Sequence, residues 1–269
     1  MRTVLSAMPA YLRQSLAEMF QYRGEIILWA VWGVVYPIIA MAMWSAAVEG
    51  SPDGKTIRGF HPHDFAAYFW LTMVIGHLST SWDVYEMGYL VQSGAMSPRL
   101  LRPILPVWQS IADNLAYKVL TLVILVPIWL GVIWYTQPSF ETTARDLALG
   151  VPVVLMGSII NYLWGYNLAL LSFRFTRMDA IGQCWFGASL FFGGRLAPLP
   201  LLPPMVQRIA DGLPFKWVIW FPCEAVMGRL PAGTIHRGMV HQLLWIALGL
   251  AAFFWLWRRG VRHYTAVGG

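Results

Sequence analysis

The sequence predicts an all-α, polytopic membrane protein, and three observations carry that prediction. Of its 269 residues, 58% are hydrophobic and only 12% are charged, roughly half the charged share of a soluble domain. The apolar residues gather in long runs separated by short polar stretches, the layout of successive transmembrane helices. Fifteen Trp and eleven Tyr supply the aromatic belts that mark the two bilayer interfaces. Mean hydropathy is +0.55. Six transmembrane helices are expected, preceded by an N-terminal interfacial helix and with a broken, re-entrant segment after the fifth span.

Taken in order, residues 1–25 form the interfacial element. Val4, Leu5, Met8, Tyr11, Leu12, Leu16, Met19 and Phe20 recur at gaps of three and four, one apolar face of a helix lying in the interface plane. The first span, 26–48, is free of charge and about 34 Å long as a helix; Pro37 is a kink point. A polar loop with Ser51-Pro52-Asp53-Gly54 turn chemistry follows. The second span, 65–82, holds His77. Residues 83–111 are too polar and too broken by Pro98, Pro103 and Pro106 to sit in lipid. The third span, 115–135, carries Lys118 close enough to one end to snorkel. The fourth, 147–173, contains Asn161 and Asn167. Ala180 to Phe192 is apolar but only about 20 Å long. It runs into Gly193, Gly194, Arg195 and four prolines, so the fifth span, 180–194, breaks there and re-enters. The loop 195–238 is expected outside, with short interfacial helices, and 239–257 is the sixth span. The whole chain, 1–269, reads as one membrane domain.

Six spans put both termini on one side. Eleven of the nineteen Lys and Arg fall on that side, which is therefore assigned to the cytoplasm. The net charge of +6 is scattered among loops, so membrane orientation explains it and nucleic acid is not expected as a partner. Cys184 lies in an apolar run and Cys223 in a polar loop, a poor pair for a disulfide. No cleavable signal is visible, and the N-terminus is expected to be retained.

No phosphate loop, H-E-x-x-H, C-x-x-C or G-x-S-x-G occurs. The chain is therefore not expected to be an enzyme by itself, nor to bind a cofactor or metal directly. The span centres lack Asp, Glu, Lys and Arg, which proton- or ion-coupled transporters use. Energy for uphill movement must enter through a partner. His61, His63 and Asp64 make half a metal site at most. His77, Asn161, Asn167, Gly193, Gly194 and Arg195 are the candidates for a translocation path or gate, although Asn161 and Asn167 also suit helix-to-helix contacts. Arg195 must face water, an anionic headgroup or the bundle interior.

Several stretches together resemble a known family. These are QYRGEIIL before the first span, LVQSGAMSPRLLRPILP after the second and SFRFTRMDAI between the fourth and fifth. FFGGRLAPLPLLPP with the later LPF, and the closing RRGVRHYTAVGG, complete the set. In this order, covering nearly the whole chain, they are similar to the permease subunits of ABC-2 type exporters, and within them to a bacterial branch of six-span permeases. The resemblance implies a multi-pass protein of the bacterial inner membrane. It implies two ATP-binding cassette subunits that hold ATP and Mg, and a second permease, identical or homologous, as dimer partner. It implies coupling to the ATPases through Glu86, Ser97, Arg99, Leu100, Leu101 and Arg102, with a smaller contact from Arg174, Arg177 and Asp179. The aromatic- and Met-rich spans fit export of an amphipathic, lipid-like or drug-like cargo. The competing readings are an integral-membrane lipid-modifying enzyme, which would need a polar catalytic cluster at one interface, and a non-catalytic membrane scaffold. A passive channel would need a ring-forming polar span, and none is visible.

Overall fold

The computed structural model describes residues 2–51, 55–175 and 177–264. Most of the Ser51–Gly54 turn, Thr176 and the end of the basic tail lie outside them. Eleven α-helices follow in order: α1 Arg2–Gln21, α2 Arg23–Glu49, α3 Pro62–Ser79, α4 Asp83–Gln92, α5 Met96–Leu100 and α6 Val107–Thr136, then α7 Ala144–Ala169, α8 Met178–Phe192, α9 Pro204–Asp211, α10 Trp220–Val226 and α11 Ala232–Gly260. The described residues contain no strand.

Four helical stretches are long and apolar enough to cross a membrane: Arg23–Glu49, Val107–Thr136, Ala144–Phe173 and Ala232–His263. The two other expected spans correspond to α3 and α8, of 18 and 15 residues, or about 27 and 22 Å. The prolines inside α2, α6 and α7 (Pro37, Pro127 and Pro152) leave each helix continuous. Helix ends follow local chemistry. Thr143 and Asp146 cap α7 reciprocally, through Asp146 N to Thr143 Oγ1 at 3.3 Å and Thr143 N to Asp146 Oδ2 at 2.9 Å. At the start of α3, Pro62 takes the first turn and Asp64 accepts a bond from His61 N at 2.8 Å.

α3 is the axis of the bundle. Phe65, Ala67, Tyr68 and Phe69 are wholly buried, enclosed by α2, α6, α7 and α10. The last carbonyls of this helix have no intrahelical donor, and neighbouring helices supply them. Asn161 of α7 donates to Ser79 O at 2.6 Å, and Asn114 of α6 donates to Thr80 O at 3.0 Å.

The stretch 195–238 is more buried than a loop. Trp217, Val218, Ile219, Phe221, Cys223 and Ala225 are all core residues, and α10 packs on both α3 and α7. Cys223 therefore lies in the core, 3.8 Å from Thr72 Oγ1, while Cys184 is exposed; both are free thiols. α1 turns its Tyr11, Leu12, Ser15 and Leu16 face toward α6, and leaves Leu5 and Phe20 exposed. α6 begins at Val107, so the expected loop 83–111 consists of α4, α5, a turn and the first residues of α6.

α11 approaches α10 so closely that a Cβ on Gly238 would overlap the Phe221 ring. Gly238→Val is expected to destabilise the protein by about 1–3 kcal/mol, read as a lower unfolding temperature in detergent. Gly131→Ala, where a Cβ meets nothing within 4 Å, is the control and should hold or slightly raise that temperature, as alanine favours a helix interior over glycine.

Candidate functional site

The helices end in two clusters. One gathers the starts of α2, α6 and α8 with the end of α11; the other gathers the ends of α2, α6 and α8 with the start of α3. At the first end, α4 and α5 form a hairpin that turns at Gly94, where φ is +75°, a conformation glycine adopts without strain. Met87, Leu90 and Met96 bury themselves against Tyr166, Leu170, Phe173 and Phe253. α4 also lies against α8, with Gly88 close to Met178 and Gly182 close to Tyr85.

Polar contacts fix this hairpin to the long helices. Asp83 accepts from Ser81 Oγ at 2.5 Å and from Ser110 Oγ on α6, and Ser110 also meets the Tyr162 hydroxyl of α7 at 2.8 Å. Glu86 pairs with Arg99 at 3.4 Å, joining α4 to α5. Arg102 donates to Gln109 Oε1 at 2.9 Å, and Ser97 Oγ meets the Tyr264 hydroxyl at 2.7 Å. These groups surround a cavity of about 10 Å³ lined by Asp83, Glu86, Arg99, Ser110 and Tyr166, just large enough for one water.

The basic residues of the hairpin are therefore engaged within the chain, and Leu101 projects from it, 87% exposed. Leu100 is partly buried in the apolar cluster beneath. Arg174 lies 3.3 Å from His263, while Arg177 and Asp179 are exposed at the start of α8. Tyr89, Leu105 and Phe175 are further large exposed apolar groups of this end. Residue type alone draws attention to Arg99 and Arg102, since an arginine in a short loop reads as a contact. The exposure of Leu101 is visible only once its neighbours are seen to be tied down.

The remaining candidates lie deeper and do not form one cluster. His77 Nε2 is 3.2 Å from Lys118 O and 3.4 Å from Thr121 Oγ1, with its ring against Tyr117 and Trp129. Asn161 holds the end of α3, and Asn167 donates to Gly249 O of α11 at 2.9 Å. Gly193, Gly194 and Arg195 form the turn after α8. Gly194 has φ +79°, the Tyr68 hydroxyl donates to Gly194 O at 2.6 Å, and Trp220 N donates to Gly193 O at 3.0 Å.

At the second end, Asp64 is taken by Arg229 at 2.6 Å, and His63 Nδ1 lies 3.2 Å from Gln137 O. The crevice beside them is lined by Phe60, His61, Asp64, Glu141 and Arg229. No group of three metal-ligating side chains occurs among the described residues.

Burial raises the Glu86 carboxyl to about 7; the charges of Asp113 and Asp83 add to the rise and Arg99 opposes it. Burial likewise raises Asp83 to about 6, against the hydrogen bonds from Ser110 and Ser81. Over the range between the ordinary and the raised values the folded state holds protons that the unfolded chain has released. Stability contributed by these groups is therefore full at low pH and is lost as pH rises toward the raised values. Glu86→Gln should reduce the fall in unfolding temperature between about pH 5 and about pH 8, leaving the share that belongs to Asp83. An unchanged pH slope would show that Glu86 titrates as an ordinary exposed carboxylate.

Comparison with protein families matches residues 51–268 to the model described as ABC-2 family transporter protein. Comparisons with characterised proteins and with solved structures returned no match.

Proposed function

Since the family model covers most of its length, the chain belongs to the ABC-2 transporter family, and from this premise we propose that it is the membrane permease of an ATP-driven exporter. In this reading α2, α3, α6, α7, α8 and α11 are the six transmembrane elements and α1 lies along the cytoplasmic interface of a bacterial inner membrane. Both termini face the cytoplasm. Two ATP-binding cassette subunits, which hold the ATP and Mg, dock on the α4–α5 end, and a second permease completes the membrane core. The cargo is amphipathic, lipid-like or drug-like.

One observation supports the coupling role most directly. The α4–α5 hairpin presents Leu101 outward while Asp83, Glu86, Arg99 and Arg102 tie its body to α6 and to itself. A force applied at Leu101 is thus carried through bonded side chains into a transmembrane helix rather than absorbed by a loose loop. ATP binding would draw the two cassettes together, push the hairpin of each permease and shift the spans past one another. Arg174, Arg177 and Asp179 form the second, smaller contact at the start of α8.

Leu101→Glu replaces an exposed apolar tip that supports nothing inside the fold. It should lower co-purification of an ATP-binding subunit from gently solubilised membranes by roughly tenfold, without changing the permease's own unfolding temperature. Full retention of the ATPase by this variant would remove the hairpin from the docking surface. Failure of wild-type protein to recover any ATPase would count against the transporter reading itself.

A further inference from the structure

Arg195 is set apart from its paired neighbours by being drawn inward with nothing to hold. Arg229 pairs with Asp64 and stacks over Phe60, Lys216 pairs with Asp211 and stacks over Trp220, and Arg58 donates to Pro200 O at 2.8 Å. Arg195 is more deeply placed than Arg58, yet its Nε is buried without a partner. No hydrogen bond or ion pair engages its side chain among the described residues.

Its position is set by the fold. Gly194 turns the chain inward at φ +79°, and Arg195 Nη1 comes to rest against Gly76, 3.3 Å from where a Cβ would stand. The titratable groups in electrostatic range are Cys223, Tyr68 and Tyr36, none of them an anion at neutral pH. Tyr36, at the midpoint of α2, is in electrostatic range and Trp44 of the same helix holds the carbonyl of the next residue, Leu196, so the guanidinium lies within the length of that span. Nor can a second copy of this chain supply the counter-charge at that depth. The acids of the transmembrane helices, Glu25, Glu49, Asp64, Asp113, Asp146 and Asp179, all stand toward helix ends.

The surroundings leave a way in. α2 packs along α3 and α6, and α8 along α4 and α9, so α2 and α8 are not packed along each other. They are linked at two levels. At one, Trp44 Nε1 of α2 donates to Leu196 O at 3.0 Å. At the other, Trp29 of α2 lies on Trp82, Trp82 lies on Tyr85, and Tyr85 packs against Gly182 of α8. Arg195 and Tyr36 fall between these two links, with α3 behind them.

We propose that Arg195, together with the Tyr36 hydroxyl, binds the anionic head of an amphiphile, a phosphate or carboxylate, that enters between α2 and α8. A guanidinium offers parallel N–H groups that match either oxyanion in a bidentate fashion, and the apolar flanks of α2 and α8 would receive the tail. An uncompensated cation at this depth is costly, and the ligand supplies the missing partner. The proposal deepens the transport reading by giving the cargo a charge, but it concerns binding by the permease alone.

The test uses purified full-length protein in neutral detergent, titrated with short-chain phosphatidylglycerol, short-chain phosphatidylcholine and inorganic phosphate, with binding read by native mass spectrometry and thermal shift. Wild type should prefer phosphatidylglycerol over phosphatidylcholine by about tenfold or more. Arg195→Gln should abolish that preference and Tyr36→Phe should weaken it, while Arg208→Gln, which removes an exposed arginine on α9, should leave it intact. Arg195→Lys, which keeps the charge and loses the fork, should retain part of it if Arg195→Gln does not fold. Equal binding of the two lipids by wild type overturns the proposal, as does a preference that survives Arg195→Gln. Inorganic phosphate that competes as tightly as the lipid overturns the amphiphile assignment. A permease that shows the preference but recovers no ATPase keeps the site and loses the transport reading; the opposite result keeps transport and removes the site.

Discussion

The fold depends on a broken backbone whose carbonyls are taken by donors from three neighbouring elements. Where α8 stops, the chain has left its helix well inside the bundle, and an unpaired carbonyl there would cost several kcal/mol. Three carbonyls at the turn have partners. Gly193 O takes the Trp220 N–H, Gly194 O takes the Tyr68 hydroxyl and Leu196 O takes the Trp44 indole. The donors come from α10, α3 and α2, so one break fastens three separate elements. It also explains why the segment after it folds back into the core: α10 must be inside for Trp220 to reach Gly193.

The same economy recurs through the bundle. Side-chain amides and indoles donate across helix pairs to backbone carbonyls rather than to each other. Asn161 and Asn114 take the end of α3, Asn167 takes Gly249 O, Gln242 takes both Val153 O and Trp217 O, and Trp70 and Trp164 reach Trp129 O and Trp245 O. Where lipid is as apolar as the core, hydrophobicity gives little preference for one helix contact over another. Such directed bonds and close glycine approaches then select the arrangement. They are also why α3 can be short. Its final carbonyls need no further turn of helix, because α6 and α7 provide their donors.

How much of this was legible in the sequence follows from the range of the interactions. α2, α6, α7 and α11 are written as long apolar runs, a local signal that survives any tertiary context. The period of α1 is equally local, but its partner is not: Tyr11, Leu12, Ser15 and Leu16 meet α6, and Ser15 finds Asp113 almost a hundred positions away. Residues 215–227 read as a mixed loop because Lys216 and Glu224 interrupt Trp217, Val218, Ile219 and Phe221. Their burial depends on the groove between α3 and α7, which no window of sequence contains. The hairpin at 83–106 was legible as an exposed element, and its internal order was not. Arg99 and Arg102 are conspicuous as letters, but Arg99 closes on Glu86 and Arg102 on Gln109, and the residue they leave projecting is Leu101.

The hairpin and the break lie on one continuous line of contacts. Leu101 follows α5; Arg99 joins α5 to α4 through Glu86; Tyr85 and Gly88 of α4 press on Gly182 and Met178 of α8; and α8 leads into Gly193, Gly194 and Arg195. α8 has only Met178 and Gly182 buried along it, and both of those touch α4. A displacement of α4 therefore acts on α8 at its two buried positions, while farther along α8 meets α9 and the 215–217 turn, where Trp185 packs on Phe215. Contiguity alone does not make a coupling; an element with two arrangements is needed. In the proposed exporter α8 would be that element, its far end being a glycine turn held by three hydrogen bonds rather than a continuing helix. Tilting α8 would load those bonds first, and with them the one turn that aims Arg195 at the space between α2 and α8.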